Sequence, residues 1–269
     1  ADVAGSLVTP IAGIDYETAT PVEEVRDLEG LLDQISVDVG KRLDGYPRYE
    51  APLRSTIGLA YLGMRKLVKA EVELREALRL WQSIPRANPV TLASAHHDLG
   101  RVLWFLAEYD EAELEYREAL RLRTKHLGPE NIETARSAHH LAASLQGKGA
   151  FNESEHLWQE TIRIRRAILP ESHPDIPNTL VGYGSFLQEV GRHAEASDLY
   201  ADALTMISQI SGNDDWRTAR TSHGLGVCLI DLGEYAPARD LLDRALEVKL
   251  MHGDEYDTTR TRLALARLD

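Results

Sequence analysis

The stretch Tyr109–Gly128, YDEAELEYREALRLRTKHLG, decides the fold. Ala112, Tyr116, Ala119 and Leu120 stand at i, i+4, i+7 and i+8, one face of an α-helix. The pattern recurs in steps of 42 residues: Ser154, Trp158, Thr161 and Ile162, then Ala196, Tyr200, Ala203 and Leu204, then Ala238, Leu242, Ala245 and Leu246. One step earlier it reads Ala70, Leu74, Ala77 and Leu78. A second series keeps the period upstream of each: Ile57-Gly58, Leu99-Gly100, Leu141-Ala142, Tyr183-Gly184 and Leu225-Gly226. Five in-register copies of a two-helix unit predict an all-α solenoid, because a unit of this size cannot bury its apolar face alone.

The spacing places the first helix of each unit, helix A, over 51–63, 90–105, 132–147, 176–190 and 216–232. It places the second, helix B, over 67–83, 109–127, 151–168, 193–210 and 235–251. Gly149, Gly191 and Gly233 fall at equivalent A-to-B turns, where a chain leaving a helix needs a positive φ. Asn88-Pro89 reads as a cap followed by a first-turn proline. The small residues Gly58, Gly100, Ala142, Gly184 and Gly226, with Ala70, Ala112, Ser154, Ala196 and Ala238, allow close helix approach. A bulky replacement such as Ala112→Leu is expected to cost on the order of 1–3 kcal/mol.

Residues 1–21 carry Gly5, Pro10, Gly13 and Pro21 without helical period, and predict an extended N-terminal arm. Residues 22–44 keep a 3–4 spacing from Val22 to Val39 and predict an N-terminal capping helix, followed by a turn over Asp44–Ala51. Five repeats are expected over 51–252, at about 51–86, 90–128, 132–170, 176–212 and 216–252. Residues 256–269 read as a C-terminal capping helix or a truncated sixth repeat.

Composition narrows the functions. The formal net charge of −13 argues against a general nucleic-acid binder, since phosphates would be repelled. No apolar run reaches membrane-spanning length. The single cysteine, Cys228, on an apolar helical stretch, allows no intrachain disulfide and reads as a buried thiol; a cytoplasmic protein is the expectation. The sequence does not begin with Met, and a processed product or excised fragment is expected. No phosphate loop, HExxH or GxSxG is present, and Gly224-Leu225-Gly226 lies inside a helix with Leu229 where a dinucleotide fingerprint needs glycine. The expectation is therefore a non-enzyme with no catalytic residues, no cofactor and no metal.

Small residues at these offsets, with an aromatic or leucine four residues after the helix-B alanine, resemble tetratricopeptide repeats. The 42-residue period and the connectors HLGPENIETA (126–135) and LPESHPDIPNTL (169–180) resemble the kinesin-light-chain type of that family. The resemblance covers about residues 51–252. It implies a right-handed α-solenoid of antiparallel helix pairs, in which the middle of helix A lines a concave groove that binds peptides or protein segments.

Carried over by register, the groove candidates are Ser55, Thr56 and Leu59; His97, Asp98, Arg101, Trp104 and Phe105; Arg136, His139, His140 and Gln146. The fourth and fifth units add Asn178, Val181, Ser185 and Gln188, then Arg220, His223, Val227 and Asp231. Many light-chain-type repeats carry paired asparagines at the centre of helix A. Here His97-Asp98, His139-His140, Val181-Gly182 and His223-Gly224 stand instead, and the kinesin cargo motif, a tryptophan flanked by acids, is not carried over.

Several readings stay open. The stripe His97, His139, His223 reads as contacts to a peptide backbone or as polar residues of a solvated inner face. Metal binding is disfavoured, because equivalent residues sit roughly 10 Å apart, about one helix-packing distance. Arg101, Arg136 and Arg220 suit an acidic or C-terminal peptide, or intramolecular pairing with Asp98, Glu189 or neighbouring helix-B acids. Trp104-Phe105 reads as an aromatic anchor or as core packing. Charge reversal at Arg136 and Arg220 is expected to weaken an acidic ligand more than about tenfold. The function predicted is an interaction module with a protein or peptide partner, without nucleic acid or membrane. The alternatives are the regulatory array of a larger signalling enzyme (kinase, protease or NTPase) and a self-associating scaffold, a homo-oligomer.

Overall fold

The computed structural model describes residues 21–252 and 255–269, with side chains over 28–251 and 258–269. Apart from Pro21, the arm expected over 1–21 lies outside the described residues. Every regular element among the described residues is a helix: α1 (Pro21–Arg42), α2 (Pro47–Gly63), α3 (Leu67–Ser83), α4 (Pro89–Phe105), α5 (Tyr109–Leu127), α6 (Ile132–Gly147), α7 (Phe151–Ile168), α8 (Asp175–Glu189), α9 (His193–Ser211), α10 (Trp216–Asp231), α11 (Tyr235–His252) and α12 (Glu255–Leu265). The A helices are thus α2, α4, α6, α8 and α10, and the B helices α3, α5, α7, α9 and α11. All begin and end within one residue of the expected positions except at the start of α2. There the turn expected over 44–51 stops at Tyr46, because Pro47 takes the first helical position, where its fixed φ suits the helix and its missing N–H costs nothing.

The described residues divide into two compact units, one up to Ala87 and one from Asn88. In the first, α2 and α3 form a hairpin whose close approach depends on Gly58: a Cβ there would lie 2.6 Å from Leu74 Cγ. Helix α1 packs on α2 and has none of the small-residue pattern. Polar contacts link it to the hairpin beside the buried Val39. The Tyr61 hydroxyl donates to Asp33 at 2.7 Å, and Lys69 reaches Asp33 and Glu29 at 2.7 and 2.9 Å.

In the second unit the hairpins α4–α5, α6–α7, α8–α9 and α10–α11 follow one another, each B helix packing on the next A helix, with α12 on α11. Consecutive A helices also touch, α4 with α6, α6 with α8 and α8 with α10. The A helices therefore form one row of an α-solenoid. The B-helix faces read from the sequence are buried: Ala112, Tyr116 and Ala119; Ser154, Trp158 and Thr161; Ala196, Tyr200 and Ala203; Ala238, Leu242 and Ala245. Cys228 is fully buried, and burial pushes its thiol up to about 12.

All five A-to-B turns close in the same way. The N–H of Lys66, Glu108, Ala150, Arg192 and Glu234 donates to the carbonyl five residues back, at 2.8–2.9 Å. This is the helix-ending bond that requires a left-handed residue just before the donor. Gly149, Gly191 and Gly233 supply it, and Arg65 and Ala107 supply it at φ 60° and 62° without being glycine.

Candidate functional site

A groove of about 870 Å³ runs along the row of A helices in the second unit, from Arg101 on α4 to Arg260 on α12. Its walls are helix-A side chains: Arg101, Trp104 and Phe105 on α4, His139, His140 and Gln146 on α6, Asn178, Ser185 and Gln188 on α8, Arg220 and His223 on α10. Its floor comes from the other layer. Tyr116, Trp158 and Tyr200, one repeat apart on α5, α7 and α9, line the groove from beneath while being 0, 2 and 4% exposed.

They reach it because the residue above them is small or flat. A Cβ on Gly182 would lie 2.5 Å from the Trp158 ring, and one on Gly224 2.7 Å from the Tyr200 ring. At the equivalent place over Tyr116, the His140 imidazole stacks on the phenol at 5.5 Å with 12° between planes.

The histidines are not spaced as their register alone suggests. His97 meets His140 of the next repeat at 5.0 Å, edge to face, and His140 in turn meets its neighbour His139 at 5.0 Å. His139 abuts Trp158 at 4.8 Å and His97 abuts Tyr116 at 5.4 Å. Burial holds these imidazoles neutral. His140 is pushed down to about 3, by burial first and then by the Arg101, Arg165, Arg136 and Arg123 guanidiniums. His97 and His139 are driven well below the usual histidine range, again by burial first, with His140 and nearby arginines adding to it. Each of these arginines is itself paired with an acid: Arg101 with Asp98, Arg123 and Arg136 with Glu133, and Arg165 with Asp175.

The cluster is also short of hydrogen bonds. Among the described residues, the His97 and His139 Nδ1 atoms, the Trp104 and Trp158 indole nitrogens and the Tyr116 hydroxyl are buried without a partner in the chain. Such a group costs about 1–3 kcal/mol when left unpaired, and four of the five, on His97, Tyr116, His139 and Trp158, lie along the ring contacts around His140.

Of the residues expected at the site, Arg101, Trp104, His139, His140, Asn178, Gln188, Arg220 and His223 line the groove. His97 lies against Tyr116 and His140 with little exposure. Asp98 pairs with Arg101 at 3.7 Å, its carboxyl raised by burial against the pull of Arg101, Arg123 and Arg136. Arg136 is exposed, one turn before His140, and pairs with Glu133 at 2.9 Å. Glu189 accepts from Gln146 at 2.7 Å and not from an arginine. Trp104 and Phe105 meet edge to face at 5.2 Å on the groove wall. His223 lies within 3.1 Å of Thr261 Oγ1, in a buried link that continues to Lys249.

Sequence reasoning placed Tyr116, Trp158 and Tyr200 in the core and missed them as floor. Gly182 and Gly224 leave the aromatic of the preceding helix B uncovered, which only the packing of the helices shows. No group of three or more His, Cys, Asp or Glu among the described residues is placed to hold a metal ion. No described helix is long and apolar enough to cross a membrane.

Repeated helix hairpins with a groove along the A row define a repeat solenoid. A sequence model of the tetratricopeptide repeat matches residues 49–125, 133–206 and 175–250. The chain belongs to the tetratricopeptide repeat family.

No curated protein matches it in sequence. Among solved structures, the fold is similar to a P. anserina putative kinesin light chain with nearly identical TPR-like repeats (17% identity, TM-score 0.60, 80% of this chain and 98% of that one). It is similar to a Rap protein complexed with competence and sporulation factor (13%, TM-score 0.73, 96% and 74%). It is also similar to the Rap conjugation gene regulator of plasmid pLS20 in complex with the Phr* peptide (15%, TM-score 0.65, 78% and 56%). At these identities the likeness is one of fold.

Proposed function

We propose that the second unit is a non-enzymatic interaction module that captures an extended peptide segment in the groove along its A helices. The observation that carries this reading is the pairing of an aromatic floor with walls of polar and arginine side chains, the composition of a recognition surface. A similar fold holds the Phr* peptide in the pLS20 regulator, which adds support. From α4 to α10 are three helix spacings, about 30 Å, and an extended chain covers that in about nine residues. The rows of A helices are held by B helices that pack behind them, so the groove is preformed and binding costs the protein side little ordering.

Trp104 and Trp158 line the groove, so their emission reports on its occupant. A pool of random nine-residue peptides is expected to shift tryptophan emission on titration, and Trp104→Phe to remove much of the shift. A pool that leaves the emission of the wild-type chain unchanged at millimolar concentration would sink the peptide reading.

A further inference from the structure

Helices α1 and α12 are each half of a unit. Helix α1 takes the place of a helix B: it spans the stretch one period before α3, and its contacts repeat those of a later B helix. Lys66, in the turn after α2, pairs with Glu29 at 2.7 Å, and three periods on Arg192 pairs with Glu155 of α7. Helix α12 takes the place of a helix A. Lys249 donates to Thr261 at 2.9 Å, as Arg123 does to Ser137 at 2.9 Å and Arg165 to Thr179 at 2.6 Å. Thr261 follows Lys249 by 12 residues where the earlier pairs are 14 apart, so the register of α12 is two residues short of a full period.

Each half leaves open the face that a complete unit covers. Within a unit the small residue of helix A rests on helix B: Gly58 on Ala70 and Leu74, and Gly226 on Ala238 and Leu242, with Leu242 Cγ 2.8 Å from a Cβ built on Gly226. The corresponding residues are Leu28 and Leu32 in α1, and Ala266 at the end of α12, whose N–H still bonds to the Arg262 carbonyl at 3.0 Å. Ala70 and Leu74 are 0 and 1% exposed, whereas Leu28 is 46% exposed, Leu32 half-buried and Ala266 exposed. The charges fit as well. Arg262 stands where Arg54 and His96 stand in α2 and α4, and those two pair with a glutamate of their own helix B, Glu73 at 2.9 Å and Glu115 at 2.6 Å. Arg262 is exposed, and α1 is acid-rich, with six acidic and three basic residues over Pro21–Arg42.

We propose that the chain binds a second copy of itself head to tail: α12 of one copy and α1 of the next complete one A–B unit, with Ala266 seated on Leu28 and Leu32. A second copy fits because each face lacks what the other supplies, a small residue over a leucine pair and an acid-rich helix for Arg262. Leu28 stands where the later B helices carry alanine or serine, so this crossing is wider than those within the chain and is separable. The contact is heterologous, so every addition leaves one free face of each kind and the assembly grows. It does not depend on the peptide reading.

The test is sedimentation of the full chain from micromolar to millimolar concentration, with two variants. The mean mass of the wild type is expected to rise with concentration and to pass that of a dimer. Leu28→Glu and Ala266→Glu each place a carboxylate in the contact, and each alone is expected to weaken association more than about a hundredfold. Both changes are at exposed positions, so Tm is expected to match the wild type. Mixed together, the two variants are expected to form a one-to-one dimer that does not grow, since one sound pair of faces remains between them.

A wild type that stays monomeric at millimolar concentration overturns the proposal. So does a variant that associates alone as the wild type does, and so does a mixture that stays monomeric. Association lost in Leu28→Glu but kept in Ala266→Glu overturns it in favour of a symmetric contact between two α1 helices. A lower Tm for Leu28→Glu or Ala266→Glu overturns it too, by showing the face already covered within its own chain.

Discussion

Glycine in this chain does two opposite things, and the difference decides what an added methyl does. Gly182 sits in α8 with the Trp158 ring 2.5 Å from where its Cβ would be, and that ring is 2% exposed with nowhere to go. Gly182→Ala gains up to about 1 kcal/mol of helix propensity but overpacks the site by about 1–3 kcal/mol. We expect a net loss of stability in urea unfolding and weaker peptide binding, because the displaced ring belongs to the groove floor.

Gly30 in α1 has nothing within 4 Å of its would-be Cβ. Gly30→Ala is expected to stabilise by up to about 1 kcal/mol. Equal effects at the two positions would contradict the packing account. The sequence showed Gly182 and Gly224 only as places where the family's paired asparagines are missing. That they open windows onto Trp158 and Tyr200 depends on which helix-B residue lies beneath, a contact across repeats that no local pattern encodes.

At the scale of the element, the 42-residue period sets the same backbone demand at each A-to-B turn, and the chain meets it unevenly. Ala107 holds a left-handed φ of 62° where the equivalent later positions are glycine. Ala107→Gly is therefore expected to stabilise by about 1 kcal/mol, the order of the left-handed penalty for an L-residue. A lower urea midpoint would show that neighbouring contacts outweigh the strain.

A second recurrent device joins helix B to the next helix A. Buried Arg123 donates to the Glu133 carbonyl at 3.0 Å and to Ser137 at 2.9 Å. Buried Arg165 donates to the Asp175 carbonyl at 2.9 Å and to Thr179 at 2.6 Å. Each also faces the carboxylate of that Glu or Asp, and burial pulls both guanidiniums down. Arg165→Ala would strand Asp175 and the polar groups around it, and is expected to cost about 3 kcal/mol or more in unfolding free energy. The spacing of Arg123 and Arg165 is visible in the sequence. Their burial is not, because charged residues near a helix C-terminus normally face water.

For the whole molecule, the buried histidines tie stability to pH. His97, His139 and His140 are held far below their ordinary value of 6.5, so between pH 6.5 and 5 the unfolded chain takes up protons that the folded chain refuses. Stability therefore falls as pH falls through that window, by up to about 1.4 kcal/mol per pH unit for each imidazole. This lies above the carboxylate range, so the histidines dominate it. We expect the urea midpoint to drop between pH 7 and pH 5, and the drop to be shallower in His140→Gln. A flat profile would mean that these rings are protonated in the folded state.

The chain alone was enough to determine the all-α repeat, the limits of the repeat helices apart from the start of α2, and the burial of each B face. Those follow from periodicity, and periodicity is written along one strand of sequence. It also pointed to the helix-A residues Arg101, Trp104, His139 and His140, since one face of a helix is a local property. Only the packing of one hairpin on the next decided that His97 meets His140 rather than its own equivalent, and that tyrosine and tryptophan of the B layer form the floor. The same packing decided which donors are left without partners. These are contacts between residues a repeat apart, set by the relative stagger of neighbouring helices, and that stagger is fixed by the fit of side chains in three dimensions.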